Sequence, residues 1–490
     1  MLFNSYEFIF IFLPLSFFVY FYLTSKRLVT ASKAWLIFTS LFFYSWWNIA
    51  YLPLILISIL FNYSLSKSML EFKEHNKNYI SKANLLQIGL ILNIGLLIYF
   101  KYMDFFITNT NIVLSSDIPL LHLALPLAIS FFTLQQIAFL IDSYEGLVEE
   151  KNFIDYTIFV IFFPQLIAGP IVHHAEMMPQ FASKWNMIKN YKNISAGFFI
   201  FSIGLFKKVA IADTFATWAN AGFNNSETLN LLEAWATSLS YTFQMYFDFS
   251  GYTDMAIGAA LLFNIKLPQN FNSPYKATGI IDFWQRWHIT LTVFIKTYVY
   301  TPILKSFAKI TFAKAMFATF AAMFISGLWH GAGWNYIVWG ALHGFALITN
   351  HYWQKYSKIK MSKFLAWFIT FNFVNVTLIF FKASSLSQAM DVLSNMIMGN
   401  VVLYYKLESF LSFLTPLGVS FETVFVDIGA KSQTFAYIII AFIIILSFKN
   451  SNELTNKFRP SILNLAYTFI LFMASISMLS NFSEFLYFNF

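Results

Sequence analysis

Long apolar stretches recur along the chain and are separated by short polar breaks. The first runs from Tyr6 to Leu23, whereas Leu85 to Phe100 and Thr434 to Phe448 contain no charged residue. A helix needs about 20 mostly apolar residues to cross a bilayer, and these stretches predict about ten to thirteen membrane segments. Because the apolar positions are continuous and open sheet edges cannot face hydrocarbon, the pattern predicts an all-α, polytopic integral membrane protein rather than a barrel.

Basic residues follow the first apolar run and the next two, Ala34 to Trp47 and Tyr51 to Leu65. They are Lys26, Arg27, Lys33, Lys67, Lys73, Lys77 and Lys82. Lys and Arg concentrate in cytoplasmic loops, so the pattern predicts an N-terminus on the outer side of the membrane. The first run has no basic residues before it and no small-residue cleavage site after it, so we expect a retained span rather than a signal peptide.

No linker, charge block or repeat divides the chain, so the sequence predicts one membrane domain over residues 1–490. Ser384 to Met398 differs from the rest, because its apolar residues fall at helical spacing and Ser385 and Gln388 are placed as a capping box. We expect this segment to be an interfacial helix. The proline-bearing stretch Leu267 to Lys276 is polar, which indicates a loop or a re-entrant segment.

The composition agrees with a protein dissolved in lipid. Only 11% of the residues are charged and 58% are hydrophobic, whereas a soluble domain has about a quarter charged residues. The net charge of +8 comes from basic residues scattered between spans, so we expect no nucleic-acid partner. With no cysteine, thiolate metal sites and a cysteine acyl-enzyme are excluded. His173, His174, His343 and His351 lack the HExxH spacing, so we also predict no metal.

Ionisable groups inside apolar runs are costly and therefore mark candidate functional positions. His330 lies in a Gly-rich stretch between two uncharged runs, and His288 follows the Leu267 to Lys276 stretch within a denser polar cluster. Asp248 and Asp254 lie in a segment that is otherwise apolar, and Arg286 and Lys276 are the partners that we expect for them. By residue type alone, a structural role is as plausible as a catalytic one for each of these groups.

Several segments together resemble the membrane-bound O-acyltransferase family, in its bacterial polysaccharide O-acetyltransferase branch. They are LPLAISFFTLQQIAFLID (125–142), FFPQLIAGPI (162–171), GLFKKVAIAD (204–213), YFDFSGYTDMAIGAALLF (246–263), NFNSPYKATGIIDFWQRWHITLT (270–292), SGLWHG (326–331) and FLYFNF (485–490). The resemblance implies a ring of helices around a thinner core with a tunnel. One departure is the segment after Pro302, where the family's Gly-Gly-Asn-Arg loop is replaced by Ile303 to Lys309.

By this resemblance His330 is the catalytic histidine and His288 the second active-site residue. We hypothesise that His330 removes a proton from an acceptor hydroxyl, and that His288 or Trp287 positions the acceptor or stabilises oxyanion charge. The substrate-binding candidates around them are Trp287, Trp329, Asp248, Asp254, Arg286 and Ser326.

The branch further implies a bacterial cytoplasmic-membrane enzyme that uses acetyl-CoA or another acyl thioester as a donor substrate, with no permanently bound cofactor. The implied acceptor is a cell-surface polysaccharide or a periplasmic acetyltransferase partner. We expect peptidoglycan first, alginate or another exopolysaccharide second and D-alanyl transfer to teichoic acid third. Two other classes stay open, a proton-coupled transporter or flippase and a non-catalytic scaffold.

Overall fold

A computed structural model describes residues 1–72, 81–149, 152–431, 433–479 and 486. It confirms the all-α class. The first half contains α1 (Leu13–Ser25), α2 (Val29–Ser45), α3 (Leu52–Leu70), α4 (Lys82–Leu114), α5 (Ile129–Glu145), α6 (Phe153–Ile161), α7 (Phe163–Leu166), α8 (His174–Ala182), α9 (Tyr191–Phe206), α10 (Asp213–Asn224) and α11 (Leu231–Leu262). The second half contains α12 (Ile280–Trp284), α13 (Ile289–Ile295), α14 (Thr301–Lys305), α15 (Phe312–His330), α16 (Trp334–Tyr356), α17 (Lys363–Lys382), α18 (Leu386–Met398), α19 (Glu408–Leu411), α20 (Gln433–Ser447), α21 (Ser451–Asn456) and α22 (Ile462–Met478).

Among the described residues, two short strands, β1 (Val401–Tyr404) and β2 (Val419–Glu422), pair in parallel; both lie between α18 and α20 along the chain. In the part of the chain that the structure describes, π-helical stretches extend neighbouring α-helices at Glu7–Phe12, Lys207–Ala212 and Lys296–Tyr300.

Six helical segments of the described chain are long and apolar enough to cross a membrane. They are Glu7–Ser25, Ile49–Leu70, Lys82–Leu114, Tyr191–Asn224, Phe312–His330 and Lys363–Lys382, and α20 and α22 are shorter apolar helices. The multi-pass prediction is confirmed, whereas the count of ten to thirteen segments stays a prediction. Lys73, Lys77 and the FLYFNF segment apart from Leu486 lie outside the described residues.

The charge-free run Leu85 to Phe100 is only part of its helix. The run ends before Lys101, whereas α4 extends from Lys82 to Leu114. A lysine within a helix of this kind is tolerated where its ammonium reaches polar partners in the bundle, and Lys101 has such partners at the end of α15.

The central helix α11 is buried along almost its whole length. Its start is fixed by a capping box, in which the Asn230 side chain accepts from the Glu233 N–H and the Glu233 carboxylate accepts from the Asn230 N–H. It packs closely on α9, because a Cβ at Gly251 would lie 2.8 Å from the carbonyl oxygen of Gly204. This close approach brings the polar end of α9 against the carboxylates of α11.

The α15–α16 hairpin is equally close. A Cβ at Gly340 would lie 2.8 Å from the Met323 carbonyl oxygen, and one at Gly327 would collide with the carbonyl of Tyr336. Small residues let two helices of a membrane bundle approach in this way. The hairpin therefore holds His330, at the end of α15, against the side chains of α16.

The expected interfacial segment is the helix α18, which packs on α11 through buried Ala389 and Val392. The Ser385 side chain accepts from the Gln388 N–H as predicted. The Gln388 side chain accepts from Ser384 rather than from Ser385, so the predicted capping box is wrong in its second half. The interfacial position of α18 stays a prediction.

Candidate active site

His288 lies in the irregular link between α12 and α13, as the polar character of the preceding stretch predicted. Residues 267–273 form no regular element, and this loop is held against the link by backbone bonds from Asn272 N–H to Arg286 O and from Ile289 N–H to Asn270 O. His288 itself has a left-handed backbone (φ 43°, ψ 53°). A histidine in this conformation is held there by its surroundings, and such strain is common at functional sites.

The protonation of the His288 ring follows from its bonds. Asn270 Oδ1 accepts from the Thr290 backbone N–H at 3.2 Å, which identifies that atom as the amide oxygen. Because an amide oxygen only accepts, His288 Nδ1 carries the proton and donates to it at 3.1 Å. The Nε2 atom is then a buried acceptor, and within the described chain it has no hydrogen-bond partner.

His330 is the last residue of α15 and is 4% exposed. Its imidazole lies among three aromatic rings, with centroids 4.9 Å from Trp329, 5.1 Å from Trp339 and 5.1 Å from Phe381. Ring contacts link the two histidines. Trp339, which packs on His330, also contacts Trp284 (5.8 Å), and Phe283 packs between Trp284 (5.8 Å) and Trp287 (5.7 Å), the residue before His288. The two histidines that the resemblance singled out, 42 positions apart in the sequence, therefore belong to one buried region.

The indole N–H groups of Trp329 and Trp339 are also buried, and neither has a hydrogen-bond partner among the residues whose positions are described. A buried donor without a partner costs about 1–3 kcal/mol. The region therefore contains one buried acceptor, His288 Nε2, and two buried donors, the indole N–H groups, that could bind a ligand. We call His288, His330, Trp329 and Trp339 the histidine site.

A third histidine near this site has a different environment. His343 on α16 accepts from the Trp284 indole at its Nδ1 (3.2 Å), so its Nε2 carries the proton and donates to Thr377 Oγ1 at 3.0 Å. Both ring nitrogens are therefore satisfied by the protein, which is the arrangement of a structural histidine.

Two further predicted residues, Trp287 and Ser326, lie in different places relative to the histidine site. Trp287 is buried beside the rings of Phe283 and Phe271, next to His288. Ser326, one turn before His330, lines a separate cavity of about 320 Å³ together with Trp284. Their substrate-binding roles stay predictions.

The expected pairing of Arg286 and Lys276 with the two aspartates is wrong. Arg286 Nε donates to Asp282 at 2.6 Å and its Nη1 donates to the Asn272 carbonyl, so it holds the loop. Lys276 donates to the Phe448 carbonyl. Arg286 therefore binds groups of its own region, whereas Lys276 binds the backbone just after α20. Charge alone did not predict either set of partners.

The partners of the aspartates come instead from the π-helical stretch Lys207–Ala212, which directly follows α9. Lys207 Nζ lies 2.7 Å from Asp254 Oδ2, and Lys208 Nζ lies 2.7 Å from both Asp213 and Asp248. We call these five residues the lysine–aspartate cluster. All five are buried or nearly so, which fits ion pairs that hold α9, α10 and α11 together. The predicted role of Asp248 and Asp254 in substrate binding stays a prediction.

Asp142, His173 and His174 form a spatial group that their sequence spacing did not predict. Their candidate ligand atoms lie within 4.8 Å of one another, and both imidazole Nε2 atoms contact Asp142 Oδ2, at 2.7 and 2.9 Å. A metal-bound imidazole donates its other N–H, but His173 Nδ1 accepts from the Ala175 N–H. His173 Nε2 therefore carries a proton, and the group fits hydrogen bonds better than a metal. The absence of a metal stays a prediction.

Two cavities adjoin the neighbours of the histidines. One of about 380 Å³ is lined by Thr290, Gln269 and Tyr298, next to the Asn270 network. Another of about 320 Å³ is lined by Lys101, Gly331 and Tyr336, next to His330. The tunnel that the resemblance implies would have to join such spaces, and it stays a prediction.

Comparison with known proteins decides the family. Residues 75–387, more than half of the chain, match the family model described as MBOAT, membrane-bound O-acyltransferase family. The chain belongs to this family. It is therefore an acyltransferase, which confirms the predicted enzyme class.

This membrane-bound O-acyltransferase is also similar to named relatives. It is 45% identical to a peptidoglycan O-acetyltransferase of Helicobacter pylori, across 100% of this chain and 98% of that protein. It is 34% identical to a probable alginate O-acetylase of Azotobacter vinelandii, across 79% and 76% of the two chains. A teichoic acid D-alanyltransferase of Bacillus subtilis is 28% identical, across 51% of this chain and 66% of that one.

Sequence reasoning missed several residues that shape the site of this acyltransferase. Asn270 was read only as part of a motif, although it fixes the protonation of His288. Trp339 was not singled out at all. Lys101 was not singled out either, although a lysine that directly follows a charge-free apolar run is a usable signal.

Proposed function

We propose that this acyltransferase moves an acetyl group from a cytoplasmic acyl thioester, such as acetyl-CoA, to a hydroxyl group of peptidoglycan. The observation that carries the proposal is the histidine site, where a buried imidazole acceptor and two buried indole donors have no partner in the described protein. Polar groups left in this state need a polar occupant. The full-length identity of 45% to a peptidoglycan O-acetyltransferase supports the acceptor.

His330 acts as the general base. It removes the proton of the acceptor hydroxyl while the hydroxyl oxygen attacks the carbonyl carbon of the thioester. A C–O bond forms and the C–S bond breaks, and His330 returns the proton to the departing sulfur, so that an ester and a free thiol are produced. The transfer is direct, and the chain contains no cysteine that could form an intermediate thioester.

His288 positions the acceptor. Its Nε2 is an acceptor because Nδ1 is protonated, so it can receive a hydrogen bond from a second hydroxyl of the sugar. The alternative role that the sequence offered, stabilising an oxyanion, does not fit a nitrogen that carries no proton. An indole N–H of Trp329 or Trp339 suits that task, since each is a buried donor beside His330.

We further propose that the enzyme lies in the bacterial cytoplasmic membrane with its N-terminus in the periplasm. The basic residues after the first apolar runs support this orientation. The acetyl group then crosses the membrane through the protein, and the acceptor approaches from the side of the Lys101 cavity. A periplasmic acetyltransferase as the immediate acceptor is the alternative for this last step.

The test uses a strain that lacks the gene and is complemented by the wild type, His330→Ala or His122→Asn. His122 is an exposed histidine with a left-handed backbone (φ 48°), which asparagine tolerates, so the second variant is a matched control. We expect His330→Ala to lower the O-acetylation of isolated peptidoglycan by about 10²-fold or more. His122→Asn should leave it unchanged, and both variants should be present in the membrane at wild-type levels.

Three results would contradict parts of the proposal. Full acetylation with His330→Ala would remove the catalytic role of this residue. Loss of acetyl groups from another surface polymer, with peptidoglycan unaffected, would replace the acceptor. If the purified wild type formed no acetyl ester from acetyl-CoA and a peptidoglycan fragment but moved a lipid-linked precursor across a vesicle membrane, a transporter would be the better description.

A further inference from the structure

The end of the helix that carries His330 is completed by another helix. The last four carbonyl groups of an α-helix have no partner within that helix. At the end of α15, the Tyr102 hydroxyl donates to the Leu328 carbonyl. The Lys101 ammonium donates to the next two carbonyls, those of Trp329 at 2.7 Å and His330 at 3.0 Å. Two consecutive residues of α4 therefore satisfy three consecutive carbonyls of α15.

The ammonium of Lys101 is fully used in this position. It has three N–H donors, and the third lies 3.3 Å from Ser130 Oγ on α5. The charge also lies at the negative end of the α15 dipole, where a cation is favourable. Lys101 thus connects α4 and α5 to the last turn of α15 at the residue that bears the imidazole.

His330 depends on this connection because α15 ends abruptly. Gly331 is extended (φ −168°), and a Cβ at that position would collide with the ring of Tyr336. No further helical turn follows that could hold the His330 carbonyl. Since the imidazole is attached one carbon away from that backbone, a shift of the last turn moves the ring by a similar distance.

We propose that Lys101 is a positioning residue, which fixes the catalytic geometry of His330 by binding the Trp329 and His330 carbonyls, with Tyr102 supporting the same turn. This inference rests on the proposed role of His330. It assigns Lys101 no contact with the reacting atoms, because its three donors are already used within the protein.

The test compares Lys101→Met, Lys101→Arg and Tyr102→Phe with Lys82→Met, in which a lysine at the start of the same helix is removed far from the end of α15. Acetyl transfer is measured on the purified full-length protein with acetyl-CoA and a peptidoglycan fragment. A displacement of about 1 Å at a catalytic group costs about 100-fold in rate, so we expect a loss of that size in kcat for Lys101→Met. KM for both substrates should stay within about twofold of the wild type, because the variant removes no contact that binds the substrate in its ground state.

Lys101→Arg retains a charged donor and should recover most of the kcat, whereas Tyr102→Phe should show a smaller loss and Lys82→Met none. A purely structural role for Lys101 would lower the melting temperature in detergent and the active fraction, without changing kcat per active molecule. If Lys101→Met does not fold, Lys101→Gln replaces it under the same criterion, because the amide nitrogen of glutamine is one bond shorter than the lysine ammonium and cannot reach both carbonyls.

Wild-type kcat in Lys101→Met or Lys101→Gln, with His330→Ala inactive, would overturn the positioning role alone. Full activity in His330→Ala would overturn the proposed function on which it rests. Equal loss of kcat in Lys82→Met would show that the charge of α4, rather than the contact with α15, is responsible, and would also overturn the inference.

Discussion

The lysine–aspartate cluster and the histidine site are both buried, but they differ in how their polar groups are satisfied. In the cluster, Asp254 has a lysine ammonium at 2.7 Å, and Lys208 lies between Asp213 and Asp248 at the same distance. In the histidine site, the His288 acceptor and two indole donors are without partners in the described protein. The first region is complete by itself, whereas the second becomes complete only with an occupant.

This difference separates stability from function. A buried ion pair costs little only while both partners are present, and removal of one leaves a charge in the interior. A buried polar group that has no partner already destabilises the unoccupied protein. Its removal should therefore change the free energy of unfolding little, but it should weaken binding of the occupant strongly. Substitutions in the two regions should therefore have opposite consequences.

Among the substitutions that compare these two regions, the largest effect on activity is expected for His288→Asn. Asparagine tolerates the left-handed backbone at this position, so the fold should be kept. The variant removes the Nε2 acceptor, and we expect kcat/KM for acetyl transfer to fall by about 100-fold because the acceptor sugar is misplaced. The free energy of unfolding, measured by thermal melting of the purified protein in detergent, should change by less than about 1 kcal/mol.

If His288→Asn were fully active, or if it lost stability and activity together, the histidine site would not be a region that serves function rather than stability.

The largest effect on stability is expected for Asp254→Asn in the lysine–aspartate cluster. The buried ammonium of Lys207 would lose its carboxylate, and breaking a buried pair costs about 3–5 kcal/mol. The double variant Asp254→Asn/Lys207→Met should recover part of this loss, because no unpaired charge remains. Thermal unfolding in detergent measures both. A variant with normal stability but a raised KM would instead support the sequence-based assignment of Asp254 to substrate binding.

The sequence predicted the all-α, multi-pass class correctly and directed attention to His288 and His330, whose catalytic roles stay predictions. Continuous apolar runs predicted the helices, and the ordered motifs led to His288 and His330. It was insufficient for pairing, because Asp254 and Lys207 lie 47 positions apart and meet only where α9 and α11 pack at Gly204 and Gly251. Arg286 looked equally suitable by charge, yet it binds Asp282 four residues away.

The protonation state of His288 could not be predicted from the sequence at all. It depends on the orientation of the Asn270 amide, which is set by the backbone N–H of Thr290, 20 residues along the chain. Lys101 is an intermediate case. Its position within an apolar run was a valid signal of function, but only the length of α4 and the place where α15 ends reveal what it binds.

The smallest effect is expected for His343→Asn. This variant compares a histidine whose two ring nitrogens are both bonded within the protein with His288, whose Nε2 is not. His343 lies near the histidine site, its ring 4.7 Å from that of Trp339, but both of its nitrogens are bonded within the protein. The asparagine amide oxygen can still accept from the Trp284 N–H, but the variant loses the Nε2 donor to Thr377, so we expect a loss of about 1–3 kcal/mol in free energy of unfolding. Acetyl transfer per folded molecule should remain within a few-fold of the wild type, in contrast to His288→Asn. If His343→Asn instead lost activity as strongly as His288→Asn while keeping its melting temperature, satisfied ring nitrogens would not identify a structural histidine in this enzyme, and the histidine site would have to include His343.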